Sequence, residues 1–142
     1  PQLQKKYIDT GKVQLEFIDY PLDRLAVIAA TLARSIPTKD GYLEAVSILL
    51  KKQKQWAYSK NPLNELQSIA KLFGISSKKF NDISQNIPLM QEIVTKMEKE
   101  SKNFDINSTP TFIVNDKYKI SGALSFKDFE KELLKSINAK KS

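Results

Sequence analysis

The amino-acid sequence predicts an α/β fold in which a long helical region separates two short stretches of β-structure. Residues 13–20 begin with alternating polar and apolar side chains and are rich in strand-forming residues. Residues 109–122 have a second strand pattern that is interrupted by a polar turn. Between these stretches, residues 22–104 place apolar side chains every three or four positions, which is typical of amphipathic helices. The chain has 142 residues, 41% of them hydrophobic, and this is enough to form a buried core.

The N-terminal residues predict the end of a helix followed by a strand. Residues 3–8 have the pattern of the last helical turns, and Gly11 supplies a left-handed C-terminal cap. The predicted strand, 13–20, stops at Pro21. Because the sequence has neither a helix cap nor an initiator methionine ahead of Pro1, we expect a further segment to precede it.

The helical region divides into five predicted helices. Asn61 followed by Pro62 predicts a helix start, Gly74 predicts a helix end, and Ser76 or Ser77 predicts the cap of a short helix. The predicted helices cover residues 22–35, 40–56, 62–74, 77–83 and 89–102. Their predicted core comprises Leu25, Ala29, Val46, Leu49, Trp56, Ile69, Leu72, Phe73, Ile93 and Met97.

The last third of the chain predicts a β-hairpin followed by a helix. Residues 111–114 form the first strand, residues 115–117 the turn and residues 118–122 the second strand. Ser125 with Asp128 has the pattern of a capping box, so a helix with an apolar face is expected to begin there.

Composition excludes several kinds of site. The sequence contains no cysteine and no histidine, which rules out disulfides, thiolate nucleophiles and imidazole bases within it. We therefore predict neither a metal site nor a cofactor. No apolar run approaches the roughly 20 residues of a membrane-spanning helix, so no span is predicted. The net charge is +7, but lysines alternate with acidic residues, which favours a solvated mixed-charge surface over a functional basic patch.

Four segments, in this order, resemble one known family. They are residues 7–13, residues 19–23 (Asp-Tyr-Pro-Leu-Asp), residues 108–115 (Ser-Thr-Pro-Thr-Phe-Ile-Val-Asn) and residues 120–123 (Ile-Ser-Gly-Ala). Together they are similar to the DsbA-like thiol-disulfide oxidoreductases, which have a thioredoxin fold with a helical insertion. The resemblance implies a thioredoxin-like portion at 1–21 and 105–142, and a helical insertion at 22–104.

The resemblance also implies a substrate-binding site at Thr109 and Pro110. In the family the bond before this proline is cis, and the backbone of the preceding residue faces the substrate. The N–H and C=O groups of Thr109 would then pair with an extended polypeptide as an added strand. The implied partners are cysteine-containing polypeptides and a protein that recycles the enzyme, and the implied location is the periplasm or another exported compartment.

The sequence departs from the family in lacking the Cys-x-x-Cys motif. The resemblance places that motif ahead of Pro1, so the first strand, both cysteines and most of the first helix would be missing and the chain would be inactive as given. The missing strand is central in such sheets, and we therefore expect pairing with the missing segment or self-association.

Two other functions remain open. One is a redox-inactive, peptide-binding or chaperone-like module that keeps the groove at Thr109 and Pro110. The other is a basic helical module for nucleic acid or membrane surfaces. It has less support because the sequence has no recognition-helix signature, no stacking motif and no run of five or more basic residues, so no nucleic-acid partner is expected.

Overall fold

The structure is a computed structural model that describes residues 1–139. The chain divides into two compact units. One unit comprises Pro1–Ile18 together with Glu98–Ser142, and the other comprises Asp19–Met97.

Seven α-helices and two β-strands are present in residues 1–139, after an N-terminal π-helical turn at Gln4–Ile8. The strands are β1 (Thr111–Val114) and β2 (Tyr118–Ser121). The helices are α1 (Arg24–Arg34), α2 (Lys39–Lys51), α3 (Gln53–Ala57), α4 (Pro62–Lys71), α5 (Ser77–Ser84), α6 (Ile87–Phe104) and α7 (Phe126–Asn138).

Polar side chains begin several of these helices. Ser76 accepts a hydrogen bond from the Lys79 amide at the start of α5, which confirms one of the two predicted caps. At the start of α2 the cap is Thr38, which accepts from the Gly41 amide at 3.1 Å. This cap was not predicted, and it moves the start of the helix to Lys39.

The core of the Asp19–Met97 unit is formed by helices α1 to α5. Leu32, Ala33 and Leu66 are almost completely buried at its centre. Trp56 packs in the same cluster, and its indole N–H donates to the Leu49 carbonyl at 2.9 Å. The buried members of the cluster are Ile28, Ala29, Leu32, Ala33, Tyr42, Ala45, Leu49, Trp56, Leu66, Ile69, Ala70, Phe80 and Ile83.

Two predictions for the helical region are wrong. The single helix predicted at 40–56 is interrupted at Lys52, whose backbone leaves the helical conformation between α2 and α3. Leu72, predicted to be in the core, is 63% exposed. Leu72 follows the last residue of α4, where the chain turns toward Gly74. Its side chain therefore lies off the buried helix face that includes Ile69 and Ala70.

In the other unit, β1 and β2 form an antiparallel hairpin in which Phe112 pairs with Ile120 and Val114 pairs with Tyr118. Asn115 and Asp116 have φ angles of 53° and 55°. A positive φ at both central positions is typical of a tight hairpin turn. Helix α7 packs against β2.

The strand predicted at residues 13–20 is wrong. These residues form no strand, and within residues 1–139 the sheet consists of β1 and β2 alone. Val13 and Leu15 are half-buried and their polar neighbours are exposed, so the first positions have the expected burial. Alternation predicts which side chains are buried, whereas a strand also requires a hydrogen-bonded neighbour, which the pattern cannot supply.

None of the helices within residues 1–139 is both long enough and apolar enough to cross a membrane.

Candidate functional site

The candidate site is the loop between α6 and β1, at residues 105–110. Helix α6 ends at Phe104, and Asp105 follows with a φ angle of 50°, a left-handed conformation that is typical of a residue just after a helix. The Ile106 amide donates to the Ser101 carbonyl at 2.9 Å, which turns the chain away from the helix axis. The loop then runs to Thr109 and Pro110.

Thr109 and Pro110 lie at the margin of the hairpin, immediately before β1. Both residues are exposed, and the peptide bond between them is cis. On one side of Thr109, the Ser108 carbonyl accepts a hydrogen bond from the Thr111 hydroxyl at 2.7 Å. On the other side, the Pro110 carbonyl accepts from the Gly122 amide at 2.9 Å. Thr109 itself makes no hydrogen bond within the part of the chain that the structure describes.

Lys119 is a residue of this site that the sequence did not predict. Its ammonium group donates to the Phe104 carbonyl at 3.2 Å and to the Asp105 carbonyl at 2.9 Å. The group therefore joins β2 to the end of α6, where the loop begins. No sequence pattern predicts this contact for a lysine in an exposed strand position. The two carbonyls lie 14 and 15 residues away along the chain, and local patterns do not extend that far.

Aromatic packing fixes the hairpin from the side of α7. The rings of Phe112 on β1 and Phe129 on α7 meet edge to face, with their centroids 4.7 Å apart. Ile120 on β2 and Leu133 on α7 are buried. The strand that follows Thr109 is therefore held by apolar contacts that do not use the backbone of Thr109.

A charged cluster in the same unit joins the N-terminal turn to α7. Tyr7 is buried, and its hydroxyl donates to Glu130, which also forms an ion pair with Lys6. These two hydrogen bonds stabilise the carboxylate and lower the pKa of Glu130. The hydrogen bond to Glu130, followed by burial, raises the pKa of Tyr7.

A second cluster lies in the Asp19–Met97 unit. Asp19 accepts hydrogen bonds from Arg34 at 2.6 Å and from the Tyr42 hydroxyl at 2.9 Å. The Arg34 guanidinium also stacks 4.1 Å from the centroid of the Tyr42 ring. Burial, followed by the negative charge of Asp19, raises the pKa of Tyr42 well above its ordinary value. These three side chains bind one another, so we interpret the cluster as a contribution to the stability of this unit.

The groups that the loop offers to another molecule are backbone hydrogen-bond donors and acceptors. With no cysteine or histidine in the sequence, the chain has neither a thiolate to exchange nor an imidazole to transfer protons. Among residues 1–139, no group of three or more acidic side chains is placed to hold a metal ion. The N–H and C=O groups of Thr109 make no hydrogen bond among residues 1–139, and groups of this kind are chemically able to pair with an extended peptide.

Comparison with known proteins shows the family to which the sequence belongs. Residues 2–135 match the sequence profile of a family described as Thioredoxin. A protein of Rickettsia conorii is 30% identical over 115 residues, which cover 81% of this chain and 42% of the relative. A protein of Rickettsia typhi is 29% identical over 115 residues, with 81% and 43% covered. Both relatives are provisionally named protein-disulfide oxidoreductases.

The chain therefore spans less than half the length of these relatives. No solved structure matches it significantly. The family match extends over nearly the whole sequence and includes both the helical region and the Thr109 loop. On this evidence, the chain belongs to the thioredoxin family.

Proposed function

We propose that this chain supplies the polypeptide-binding part of a protein-disulfide oxidoreductase that forms or reshuffles disulfides in exported proteins. Family membership and the names of the two rickettsial relatives support the reaction class. Exchange requires a sulfur nucleophile, and none is present in the 142 residues. The reactive cysteine pair must therefore come from outside this sequence.

The observation that carries the proposal is that Thr109 is an exposed residue whose backbone groups make no hydrogen bond among residues 1–139. Its N–H and C=O groups have no partner within the part of the chain that the structure describes, while the neighbouring Ser108 and Pro110 carbonyls are both bonded. A peptide that pairs with Thr109 would extend the hairpin edge through main-chain hydrogen bonds. Backbone hydrogen bonds depend little on the peptide's side chains, so this binding mode would allow an enzyme to act on polypeptides of many different sequences.

Substitutions at Thr109 test this binding mode. Thr109→Pro removes the N–H donor, and Thr109→Ala removes the side chain but keeps the backbone. Binding of a fluorescent, cysteine-containing peptide is measured by anisotropy, after circular dichroism has established that each variant is folded. We expect Thr109→Pro to weaken binding about tenfold and Thr109→Ala to change it less than about twofold. Equal binding by the proline variant and the unchanged chain would contradict the proposal.

A second candidate function is a redox-inactive module that binds peptides as a chaperone or adaptor. The absence of cysteine from the sequence favours it. Thiol labelling and mass spectrometry of the native polypeptide from its source cells separate the two functions. Labelled cysteines in a Cys-x-x-Cys segment would support the oxidoreductase. A native polypeptide that binds peptides but takes no label would support the adaptor.

We also propose an exported compartment, such as the periplasm, as the site of action. Disulfides persist mainly in oxidising compartments, and an enzyme that forms them in exported proteins would have to reside there. A redox partner protein would then restore the cysteine pair after each turnover. Cell fractionation followed by immunoblotting tests the location, and recovery of the native polypeptide only with cytoplasmic markers would contradict it.

A further inference from the structure

We infer that Lys119 is a positioning residue that fixes the loop bearing Thr109, and that peptide binding depends on it. The inference rests on the proposed function, because it deepens the role of the same loop. Its basis is the pair of hydrogen bonds from the Lys119 ammonium to the carbonyls of Phe104 and Asp105. Lys119 would act on the peptide only through the loop that it holds.

The first step concerns the end of α6. The last carbonyls of a helix lack partners within the helix and carry the negative end of its dipole. The Lys119 ammonium lies 3.2 Å from the Phe104 carbonyl and 2.9 Å from the Asp105 carbonyl. A cation at this position therefore satisfies two acceptors and favours the backbone geometry in which Asp105 has a φ angle of 50°.

The second step concerns the opposite end of the loop. The Gly122 amide, directly after β2, donates to the Pro110 carbonyl at 2.9 Å. The beginning and the end of the loop are therefore both bound to β2 or its next residue. Thr109 lies between these two attachments and makes no hydrogen bond of its own among residues 1–139. Its position is set by the attachments, and its N–H and C=O groups stay available to a peptide.

The third step is energetic. A loop that must become ordered when it binds a peptide loses conformational entropy at that moment, and the loss weakens binding. A loop that is attached at both ends is already ordered in the folded chain, so this entropy is not lost when the peptide binds. Without the Lys119 ammonium, the loop would keep its hydrogen bond to Gly122 and the Ile106–Ser101 hydrogen bond, but its first residues would lose their link to β2 and gain freedom.

Lys119→Met tests the inference, since it removes the ammonium group and keeps an unbranched side chain of nearly the same length. Lys119→Arg serves as the rescue, because a guanidinium can also donate to two carbonyls. Lys127→Met on α7 controls for loss of an exposed lysine. Ser125→Ala removes the cap of α7 and controls for a general loss of stability in the same unit. Backbone order parameters from ¹⁵N relaxation are measured at Ser108 and Thr109, together with the affinity for the labelled peptide.

We expect the order parameters of Ser108 and Thr109 to fall from about 0.85 to below about 0.6 in Lys119→Met. Peptide affinity should fall about five- to tenfold, and Lys119→Arg should restore both values. Neither control should change the order parameters. Unchanged order parameters at Ser108 and Thr109 in Lys119→Met would overturn the inference. So would lower order parameters with an unchanged affinity for the peptide. If the unchanged chain binds no peptide, the proposed function fails and the order parameters still decide whether Lys119 fixes the loop.

Discussion

The hydroxyl of Tyr7 donates a 2.5 Å hydrogen bond to Glu130, a residue 123 positions further along the chain. The same carboxylate forms an ion pair with Lys6, so two neighbouring residues of the N-terminal turn are attached to one point of α7. Tyr7 is buried, and the carboxylate is the acceptor for its polar group. The protonation state of Glu130 therefore bears on how firmly the N-terminal turn is held.

We predict a loss of stability at acidic pH that depends on Glu130. The folded chain lowers the pKa of this carboxyl below its ordinary value of 4.5, so the folded state favours the charged form. The resulting stability is present above about pH 4.5 and is lost as the pH falls through the lowered pKa. Glu130→Gln should reduce stability at neutral pH and flatten the acidic limb of a plot of unfolding midpoint against pH.

Glu132→Gln on the same helix is the matched control, because the ion pair that Glu132 forms with Lys135 is exposed. It should leave the acidic limb unchanged. Identical acidic limbs for Glu130→Gln and the unchanged chain would show that the carboxylate does not stabilise the folded state.

A second prediction compares two neighbouring leucines of α2. Leu49 is 6% exposed and belongs to the helical core, whereas Leu50 is 65% exposed. Leu49→Ala should lower the free energy of unfolding by about 2 to 5 kcal/mol, because it removes buried methyl groups and leaves a cavity. Leu50→Ala should change it by less than about 0.5 kcal/mol. Urea denaturation followed by circular dichroism measures both, and a change below about 0.5 kcal/mol at Leu49 would contradict its burial.

A third prediction concerns alkaline pH and Tyr42. Burial and the nearby charge of Asp19 raise the pKa of this hydroxyl above its ordinary value of 10.0, so the folded state holds the proton more tightly than the unfolded state. The stability from this difference is present below about pH 10 and declines as the pH rises above it. Tyr42→Phe should therefore reduce the loss of stability above about pH 10.

Unfolding midpoints across the alkaline range measure this effect. Tyr58→Phe is the control, because the Tyr58 side chain is 84% exposed and lies outside the core. The prediction fails if Tyr42→Phe and the control lose stability in parallel with the unchanged chain.

A fourth prediction concerns catalysis by the 142 residues alone. The purified chain should show no insulin reduction and no dithiol oxidation, since thiol-disulfide exchange requires a cysteine sulfur and the sequence has none. A buffer blank with the same thiol reductant sets the background rate. Turnover above that background would require chemistry that does not use cysteine.

Local signals predicted several helix ends and the hairpin, although the predicted Asn61 cap makes no side-chain hydrogen bond. Gly74 has a φ angle of 72° just after α4, as expected for a glycine that ends a helix. Ser125 accepts from the Asp128 amide at 3.2 Å, which is the first hydrogen bond of the predicted capping box, and the Ser125 hydroxyl also donates to the Asp128 carboxylate at 2.6 Å. These features depend on residues within four positions of one another, so the sequence contains all the information that they need.

Other outcomes depend on distant residues, and the sequence predicted these poorly. The segment 13–20 has strand-forming side chains but belongs to no sheet among residues 1–139, and its sequence could not show this. Lys119 looked like an ordinary surface lysine, because its two acceptors belong to the end of another element. Thr109 was selected by family resemblance, and the structure adds that it is exposed and lies two residues before β1.

The burial of Trp56 gives the chain an internal optical probe. It is the single tryptophan of the sequence, it is 5% exposed, and its indole N–H is bonded to the Leu49 carbonyl. Its fluorescence therefore reports on the Asp19–Met97 unit alone, since the other unit contains no tryptophan. Far-ultraviolet circular dichroism includes signal from both units. Melting curves that coincide for the two signals would mean that the units unfold together, and curves that separate would give each unit its own transition temperature.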